Sequence, residues 1–206
     1  MPGSLMKYAL PDFLPGVLVI EPGSSRDYVL LERFHYLPKR PATWVDVWRI
    51  RYSDAEHDRV VGVGVLSFPR ASCRLRNREL GLRFETLRDS LQFVNRNIRA
   101  ISRVVIHPQF RSLGLSTALV RCLIDHCPTR YVEAVAMMGR AHPFFERAGM
   151  TRVDRGEAEK PVYFIYDRFA RQGPAGSFRP AGQDPAQSSH NPDEIQLKFG
   201  AIACAR

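Results

Sequence analysis

Apolar residues recur with two spacings along residues 1–171, every second position as in strands and about every 3.6 positions as in helices. The spacings predict strands over 16–20, 43–52, 60–68, 98–107, 131–136, 150–154 and 162–167, and helices over 26–36, 111–126 and 141–148. An insert over 69–97 interrupts the series and is weakly helical at 85–94. The order β-α-β-β-(insert)-β-α-β-α-β-β predicts an α/β fold with a mixed, mostly antiparallel sheet and flanking helices.

The composition changes after residue 171. Residues 173–192 contain four prolines, three glycines and few large apolar side chains. Such a segment cannot bury enough apolar surface to offset the entropy lost on ordering. We therefore expect one domain over 1–171 and a disordered tail over 172–206.

The chain of 206 residues has a formal charge of +9, and arginine supplies 26 of its 30 basic residues. The predicted tail is neutral in sum, whereas the 69–97 insert alone holds seven arginines. Arginine binds phosphates and carboxylates through two parallel hydrogen bonds, which favours an anionic ligand such as a nucleotide cofactor or a nucleic acid. A genome rich in G and C, whose codons favour arginine, explains the bias equally well.

The four cysteines, Cys73, Cys122, Cys127 and Cys204, form no CxxC pair and no metal-binding spacing. We expect free thiols in a reducing compartment, hence a cytoplasmic protein without a bound metal. No apolar run is long enough for a transmembrane helix, and the first 15 residues lack the continuous apolar core of a secretory signal. A membrane partner is not expected.

The segment with the clearest chemistry runs from Val104 to Arg121, where an apolar strand leads through a His-Pro turn and a short loop into a helix. The first turn of a helix has N–H groups without intrahelical acceptors, and the helix dipole adds partial positive charge there. Gly114 permits close approach of a phosphate, Arg111 adds a cation, and Ser116 is small and carries a hydroxyl. The pattern predicts an anion-binding loop.

This segment resembles the acyl-coenzyme A binding motif of the GNAT superfamily of N-acetyltransferases, Gln/Arg-x-x-Gly-x-Gly/Ala, here Arg111-Ser-Leu-Gly-Leu-Ser116 with Ser in the last position. Residues 140–150, Arg-Ala-His-Pro-Phe-Phe-Glu-Arg-Ala-Gly-Met, are similar to the second signature of that family, and the order of elements matches over about 16–167. The resemblance implies a GNAT-like fold whose central strands splay apart after Ile106 to admit the pantetheine arm.

The same resemblance implies an N-acyltransferase, most simply an acetyltransferase, that uses acetyl-CoA as co-substrate and an amine on a small molecule or a protein as acceptor. The acceptor itself is not identified. The implied cofactor contacts are backbone groups of Val105 and Ile106 for pantetheine and the loop residues for the pyrophosphate, namely Arg111, Ser112, Leu113, Gly114, Leu115 and Ser116.

One position departs from the family pattern. Many relatives use a tyrosine in the second signature as general acid for the departing thiolate, and the matching residue here is Phe145. A phenylalanine cannot donate a proton. If no residue takes this role, the protein is a non-catalytic acyl-CoA-binding sensor or interaction module. If another side chain takes it, the candidates are Tyr36, His35, Ser102, His107 and His142.

A more distant resemblance is to the Mom DNA-modification proteins of phage Mu. They share a His-Tyr pair after the first helix, an arginine in the central strand and a serine in the cofactor helix, places that His35-Tyr36, Arg103 and Ser116 occupy here. This resemblance implies a nucleic-acid base as acceptor and phosphate contacts from the basic insert. The candidate catalytic residues are therefore Tyr36, His35 and Arg103. Strict alternation places Arg103 on one strand face with Val105 and His107, opposite Ser102, Val104 and Ile106.

Overall fold

A computed structural model describes residues 6–8, 15–36, 39–137, 139, 141–153 and 161–170. Eight strands and five α-helices lie in these ranges. The strands are β1 (Met6–Tyr8), β2 (Val17–Pro22), β3 (Asp46–Ser53), β4 (Asp58–Ser67), β5 (Ile98–Ile106), β6 (Tyr131–Ala136), β7 (Thr151–Val153) and β8 (Val162–Asp167). The helices are α1 (Ser25–Leu31), α2 (Arg74–Glu79), α3 (Leu87–Asn97), α4 (Leu115–His126) and α5 (Phe144–Arg147).

The strands form one sheet in the order β1-β2-β3-β4-β5-β6-β8-β7. All neighbours are antiparallel except β5 and β6, which run parallel. This mixed, mostly antiparallel sheet with flanking helices confirms the fold class predicted from the sequence.

The parallel pair separates early. β5 and β6 are paired only from Ile98 and Tyr131 to Ile101 and Ala134, although both strands continue beyond that point. The expected splay is therefore present, but it begins after Ile101 and not after Ile106. A β-bulge in β5, described below, lies directly after the last paired residue and turns the strand.

Helices cover both faces of the sheet. On one face α4 and α5 pack against apolar side chains that include Ile106, Val132 and Phe164. On the other face α1 packs against Val63, Val65 and Val105, while the insert packs against Ile98, Tyr131 and Tyr163. These side chains form two separate apolar clusters.

A glycine in β4 sets the distance between α4 and the sheet. A Cβ at Gly64 would lie 2.7 Å from Leu123 Cδ1 and 3.1 Å from Leu119 Cγ. A Cβ here would press on these two leucine side chains, so glycine lets α4 lie this near β4 without displacing them.

The insert is an ordered part of the domain. It contains α2, which the sequence did not predict, and α3, which extends the weakly helical stretch of the prediction to residue 97. Of its seven arginines, Arg76 is completely buried. Its guanidinium donates to the carbonyl oxygens of Arg70 and Ala71 at 2.8 and 2.7 Å and lies 3.3 Å from Glu133 Oε1 on β6. Arg76 is therefore not accessible for the phosphate contacts that the Mom resemblance implies for the basic insert.

Most predicted elements are confirmed, and the 131–136 and 162–167 strands have the predicted bounds. The helix predicted over 111–126 begins only at Leu115, because residues 111–114 form the loop that precedes it. Strand β1 was not predicted. The predicted tail over 172–206 lies outside the described residues. Within the described ranges, no helix is long and apolar enough to cross a membrane.

Candidate functional site

A cleft of about 750 Å³ opens where β5 and β6 separate. It is bordered by the end of the α1 region, the exposed length of β5, the loop before α4, and α5. The structure brings together in this cleft ten of the eleven site residues predicted from the sequence, namely His35, Tyr36, Arg103, Val105, Ile106, Arg111, Ser112, Gly114, Leu115 and Ser116. The eleventh, Leu113, lies in the same loop and packs against the core.

The loop before α4 has a tightly folded backbone. After β5, Pro108–Phe110 form a single 3₁₀ turn whose Phe110 is buried as an anchor. Ser112 and Gly114 then adopt positive φ angles of +68° and +76°. The left-handed region is natural for glycine and unusual for serine, so this short loop reverses direction within a few residues.

Helix α4 begins at this loop without a side-chain cap. Its N-cap residue is Gly114, which has no side chain to accept a hydrogen bond from the first turn. The N–H groups of Leu115, Ser116 and Thr117 have no carbonyl four residues earlier within the helix. Together with the dipole of a 12-residue helix, they make this end of the cleft a cradle for an anion.

The Arg111 side chain links two parts of the cleft. Its Nε donates to the Ile106 carbonyl at 3.3 Å, and its Nη2 donates to the Phe34 carbonyl at 3.4 Å. Phe34 immediately precedes the predicted His35-Tyr36 pair. The arginine predicted as a phosphate ligand thus also connects the loop to the segment that carries this pair.

A β-bulge at Ser102 changes the predicted orientation of side chains on β5. Val65 pairs with Arg103 and Leu66 pairs with Ile101, so Ser102 has no partner across the ladder. Ile101 instead of Ser102 therefore joins Val104 and Ile106 in the core beneath α4. The Ser102 hydroxyl lies 2.7 Å from Ser67 Oγ. The strict alternation predicted for this strand is wrong at the bulge, because the extra residue shifts the period by one.

Arg103 reaches from β5 toward the segment after α1. Its Nη1 donates to the Ser102 carbonyl at 2.6 Å, and its Nη2 donates to the Lys39 carbonyl. Its Nε is buried without a hydrogen-bond partner among the described residues. Both acceptors are neutral carbonyls, and no carboxylate in the described part of the chain forms an ion pair with it.

His35 and Tyr36 lie at the mouth of the cleft, after α1 has ended in a 3₁₀ turn at Glu32–Phe34. Their rings stack with centroids 4.7 Å apart and an interplanar angle of 29°. The Tyr36 side chain is 55% exposed, so its phenol is accessible to a ligand in the cleft. The predicted aromatic pair is therefore at the site.

Phe145 is buried and packs between the rings of Phe144 and Phe164, with centroids 4.3 and 4.9 Å away. Of the side chains considered as replacements for a proton donor there, Tyr36, His35, Ser102 and His142 line the cleft. His107 packs instead against Phe34 and Phe110. Burial, followed by the charges of Arg59, Arg33 and Arg111, lowers the pKa of His107.

Arg147 and Val135 are among the cleft residues that the sequence did not predict. Arg147 on α5 lines it, and its backbone carbonyl accepts a 2.7 Å hydrogen bond from Arg121 Nη2 on α4, which fixes the two helices together. Val135 on β6 forms the opposite wall and is 55% exposed. An exposed valine in a predicted buried strand is the signal that the neighbouring strand has moved away. No group of three metal-binding side chains occurs within the described ranges.

Comparisons with known proteins agree with this geometry. The family model described as the acetyltransferase (GNAT) family matches residues 21–150. The structure of Arabidopsis thaliana NAA60 in complex with acetyl-CoA is similar with a TM-score of 0.50 and 14% identity, covering 73% of this chain and 99% of that one. The structure of the same protein with a bisubstrate analogue is similar with a TM-score of 0.50 and 15% identity, covering 73% of this chain and 97% of that one.

Ard1 from Thermoplasma volcanium is also similar, with a TM-score of 0.47 and 15% identity over 73% of this chain and 97% of the other. A search of curated protein sequences gives no match. At these identities the solved structures show the fold alone, and the family model shows the family.

Proposed function

The chain belongs to the GNAT acetyltransferase family, and on this premise we propose that it is an acyl-coenzyme A dependent N-acyltransferase that transfers an acetyl group from acetyl-CoA to an amine. The observation that carries the proposal is the cleft itself. A sheet opened between β5 and β6 meets an uncapped helix N-terminus at one end and an accessible aromatic pair at the other.

The described residues fit acetyl-CoA as co-substrate. Its pyrophosphate would lie on the N–H groups between Arg111 and Ser116, where a positive φ at Gly114 turns the backbone toward the ligand. Its pantetheine arm contains amide groups, and among the described residues the edge of β5 from Ser102 to Ile106 has no strand partner on the β6 side. Val105 and Ile106 offer backbone hydrogen bonds to those amides as an added strand would.

The reaction needs little covalent chemistry from the protein. The amine nitrogen attacks the thioester carbonyl carbon, the carbon–sulfur bond breaks, the nitrogen loses a proton and the sulfur gains one. Holding the two reactants in line supplies most of the rate, because an oriented pair reacts at an effective concentration far above that in solution. The rigid cleft, closed beneath by the packed core of α4, supports this role.

Proton transfer is the step for which this chain differs from the family pattern. Phe145 lies in the core and has no proton to give. We assign the role to the stacked His35-Tyr36 pair, in which the exposed phenol of Tyr36 is the donor to the departing sulfur. Arg103 then acts on the acceptor side of the cleft.

The proposal is tested by following release of the coenzyme A thiol from acetyl-CoA in the presence of a broad set of amines. We expect saturable release that depends on the amine. Tyr36→Phe should lower kcat by about 10²-fold, the lower end of the range for a positioned proton donor. Tyr166→Phe, a tyrosine on β8 outside the cleft, is the matched control and should keep the wild-type rate.

Thiol release at the same rate with and without every amine would contradict the proposal. An unchanged kcat in Tyr36→Phe would instead remove only the proton-transfer assignment, leaving transfer itself intact.

A further inference from the structure

The cleft is lined by positive charge. Its permanently charged side chains among the described residues are Arg103, Arg111 and Arg147, and His35, Tyr36 and His142 also line it. None of the described residues that line it is Asp or Glu. Opposite charges attract and like charges repel across a few ångströms, so the lining favours anionic ligands over cationic ones.

One of these arginines, Arg111, is the first residue of the loop before α4, which would hold the pyrophosphate of the proposed co-substrate. Arg147 lies on α5, whose backbone is tied to α4 by the Arg121 hydrogen bond. The charge of Arg111 would therefore face the pyrophosphate of acetyl-CoA. Arg103 lies elsewhere, on the bulged part of β5 beside the segment that follows α1.

Among the described residues, no carboxylate compensates the charge of Arg103. A guanidinium has five N–H donors, and Arg103 uses two of them on the carbonyls of Ser102 and Lys39. Its Nε has no partner among the described residues, although the side chain is half-buried. A partly desolvated cation without a carboxylate is costly unless a ligand supplies the missing negative charge.

The segment beside Arg103 adds to the positive potential. Between residues 32 and 40 the sequence has one acid, Glu32, against Arg33, Lys39 and Arg40. Glu32 is already bound by both Nε and Nη2 of Arg40, at 2.7 and 2.9 Å. Its carboxylate therefore does not offer a binding site for a cationic acceptor at the mouth of the cleft.

We propose that the acceptor is an amine that carries an anionic group, a carboxylate or a phosphate, close to the reactive nitrogen, and that Arg103 binds this group. The proposal rests on the proposed acetyl transfer and names its substrate class. It excludes polyamines and other acceptors with a second positive charge, because their extra cation would face Arg103 with no counter-charge in the lining.

The test uses pairs of amines that differ only in the anion. β-Alanine is compared with β-alaninamide for a carboxylate, and phosphoethanolamine with ethanolamine for a phosphate, with cadaverine as the cationic probe. The quantity measured is kcat/KM for thiol release from acetyl-CoA. We expect kcat/KM of at least one anionic member to exceed that of its partner without the anion about tenfold or more, the size of effect expected for a hydrogen bond to a charged group. The pair that responds identifies the anion.

The role of Arg103 is measured by the ratio of kcat/KM for the anionic amine to kcat/KM for its partner. A structural defect would lower both values equally and leave this ratio unchanged. Arg103→Gln should bring the ratio close to one, whereas Arg103→Lys should keep part of it. Arg96→Gln, an exposed arginine of α3 outside the cleft, is the control and should leave the ratio unchanged.

Equal rates within both pairs, a preference for cadaverine, or a ratio that survives Arg103→Gln would overturn the inference while leaving acetyl transfer intact. If none of these amines is acetylated, calorimetry measures the affinity of each amine for protein saturated with coenzyme A. The ratio of affinities within each pair then replaces the ratio of kcat/KM. Equal binding within both pairs, or none, contradicts the inference. Failure of acetyl-CoA to bind at all would instead overturn the proposed function.

Discussion

Arg76 is completely buried and Arg103 is half-buried in the same domain, and the two regions differ in the partners that they give to the guanidinium. Arg76, in the insert, lies against Glu133, whose other oxygen accepts a 3.0 Å hydrogen bond from the Tyr163 hydroxyl. Arg103, in the cleft, has only carbonyl partners and an Nε without one in the described part of the chain. A carboxylate neutralises the charge of Arg76, whereas no described residue of the cleft supplies one to Arg103.

By this difference, the charge of Arg76 has a structural role, and the charge of Arg103 remains available to bind a ligand. A buried ion pair satisfies its own members and presents no charge to a ligand, so Arg76 holds the insert against β6 and β8. An uncompensated cation beside an open cleft keeps its capacity for an anion. The predictions below test this distinction, and the first carries the largest expected effect.

Arg76→Met should destabilise the protein by about 3–5 kcal/mol, because it leaves the Glu133 carboxylate buried without its cation. The free energy of unfolding in urea measures the loss. The matched substitution in the cleft, Arg103→Met, should cost less than about 1 kcal/mol, since it removes hydrogen bonds to partly exposed carbonyls only.

The double variant Arg76→Met with Glu133→Leu should recover most of the stability, as apolar pairs often replace buried ion pairs without loss. Equal costs for the Arg76 and Arg103 variants would abolish the distinction between the two regions.

Gly114→Val should weaken acetyl-CoA binding about tenfold or more, because a β-branched residue resists the +76° φ that shapes the anion cradle. Gly81→Val is the matched control. Gly81 has a similar φ of +63° but lies in the insert, away from the cleft. Calorimetry should show weaker binding for the first variant alone. The same loss in both would mean that general backbone strain, and not the loop, is responsible.

His107 should report the positive potential near the cleft. Burial and the neighbouring arginines Arg59, Arg33 and Arg111 disfavour its protonated form, so its pKa lies below the ordinary 6.5. This group therefore stabilises the fold fully above pH 6.5, and that contribution is lost as the pH falls through the lowered pKa.

Coenzyme A, whose phosphates would lie near Arg111, should raise the pKa of His107, whereas adenosine should not. The titration is followed by NMR, with His107→Gln for assignment. An unchanged pKa with bound coenzyme A would place the phosphates elsewhere.

The sequence predicted the elements where periodicity is strong, such as β6 and β8, and the cleft loop, where Gly114 and a helix start are local features. It did not predict the bulge at Ser102, because the irregular register depends on pairing with β4 and not on a local signal. The sequence also contained no signal that Arg76, unlike the other arginines of the insert, is buried. Its burial depends on Glu133, 57 residues away, which no local pattern connects to it.

The candidate site residues likewise divide into those that a local sequence pattern indicates and those that only the tertiary structure brings together. The 111–116 loop could be predicted because anion binding by a helix N-terminus depends on consecutive backbone groups. Tyr36 and Arg103 were placed at the site through a distant resemblance and not through a local pattern. Arg147 was not predicted, because only the topology brings α5 beside α4.

Amide hydrogen exchange with and without acetyl-CoA tests the central claim most directly, because it reads both regions in one experiment. Binding in the cleft should slow exchange in the peptide segments that cover Ser102–Ile106 and Arg111–Thr117, while exchange in the insert between Arg74 and Asn97 stays the same. Protection confined to the insert, or no protection anywhere at saturating acetyl-CoA, would contradict the account.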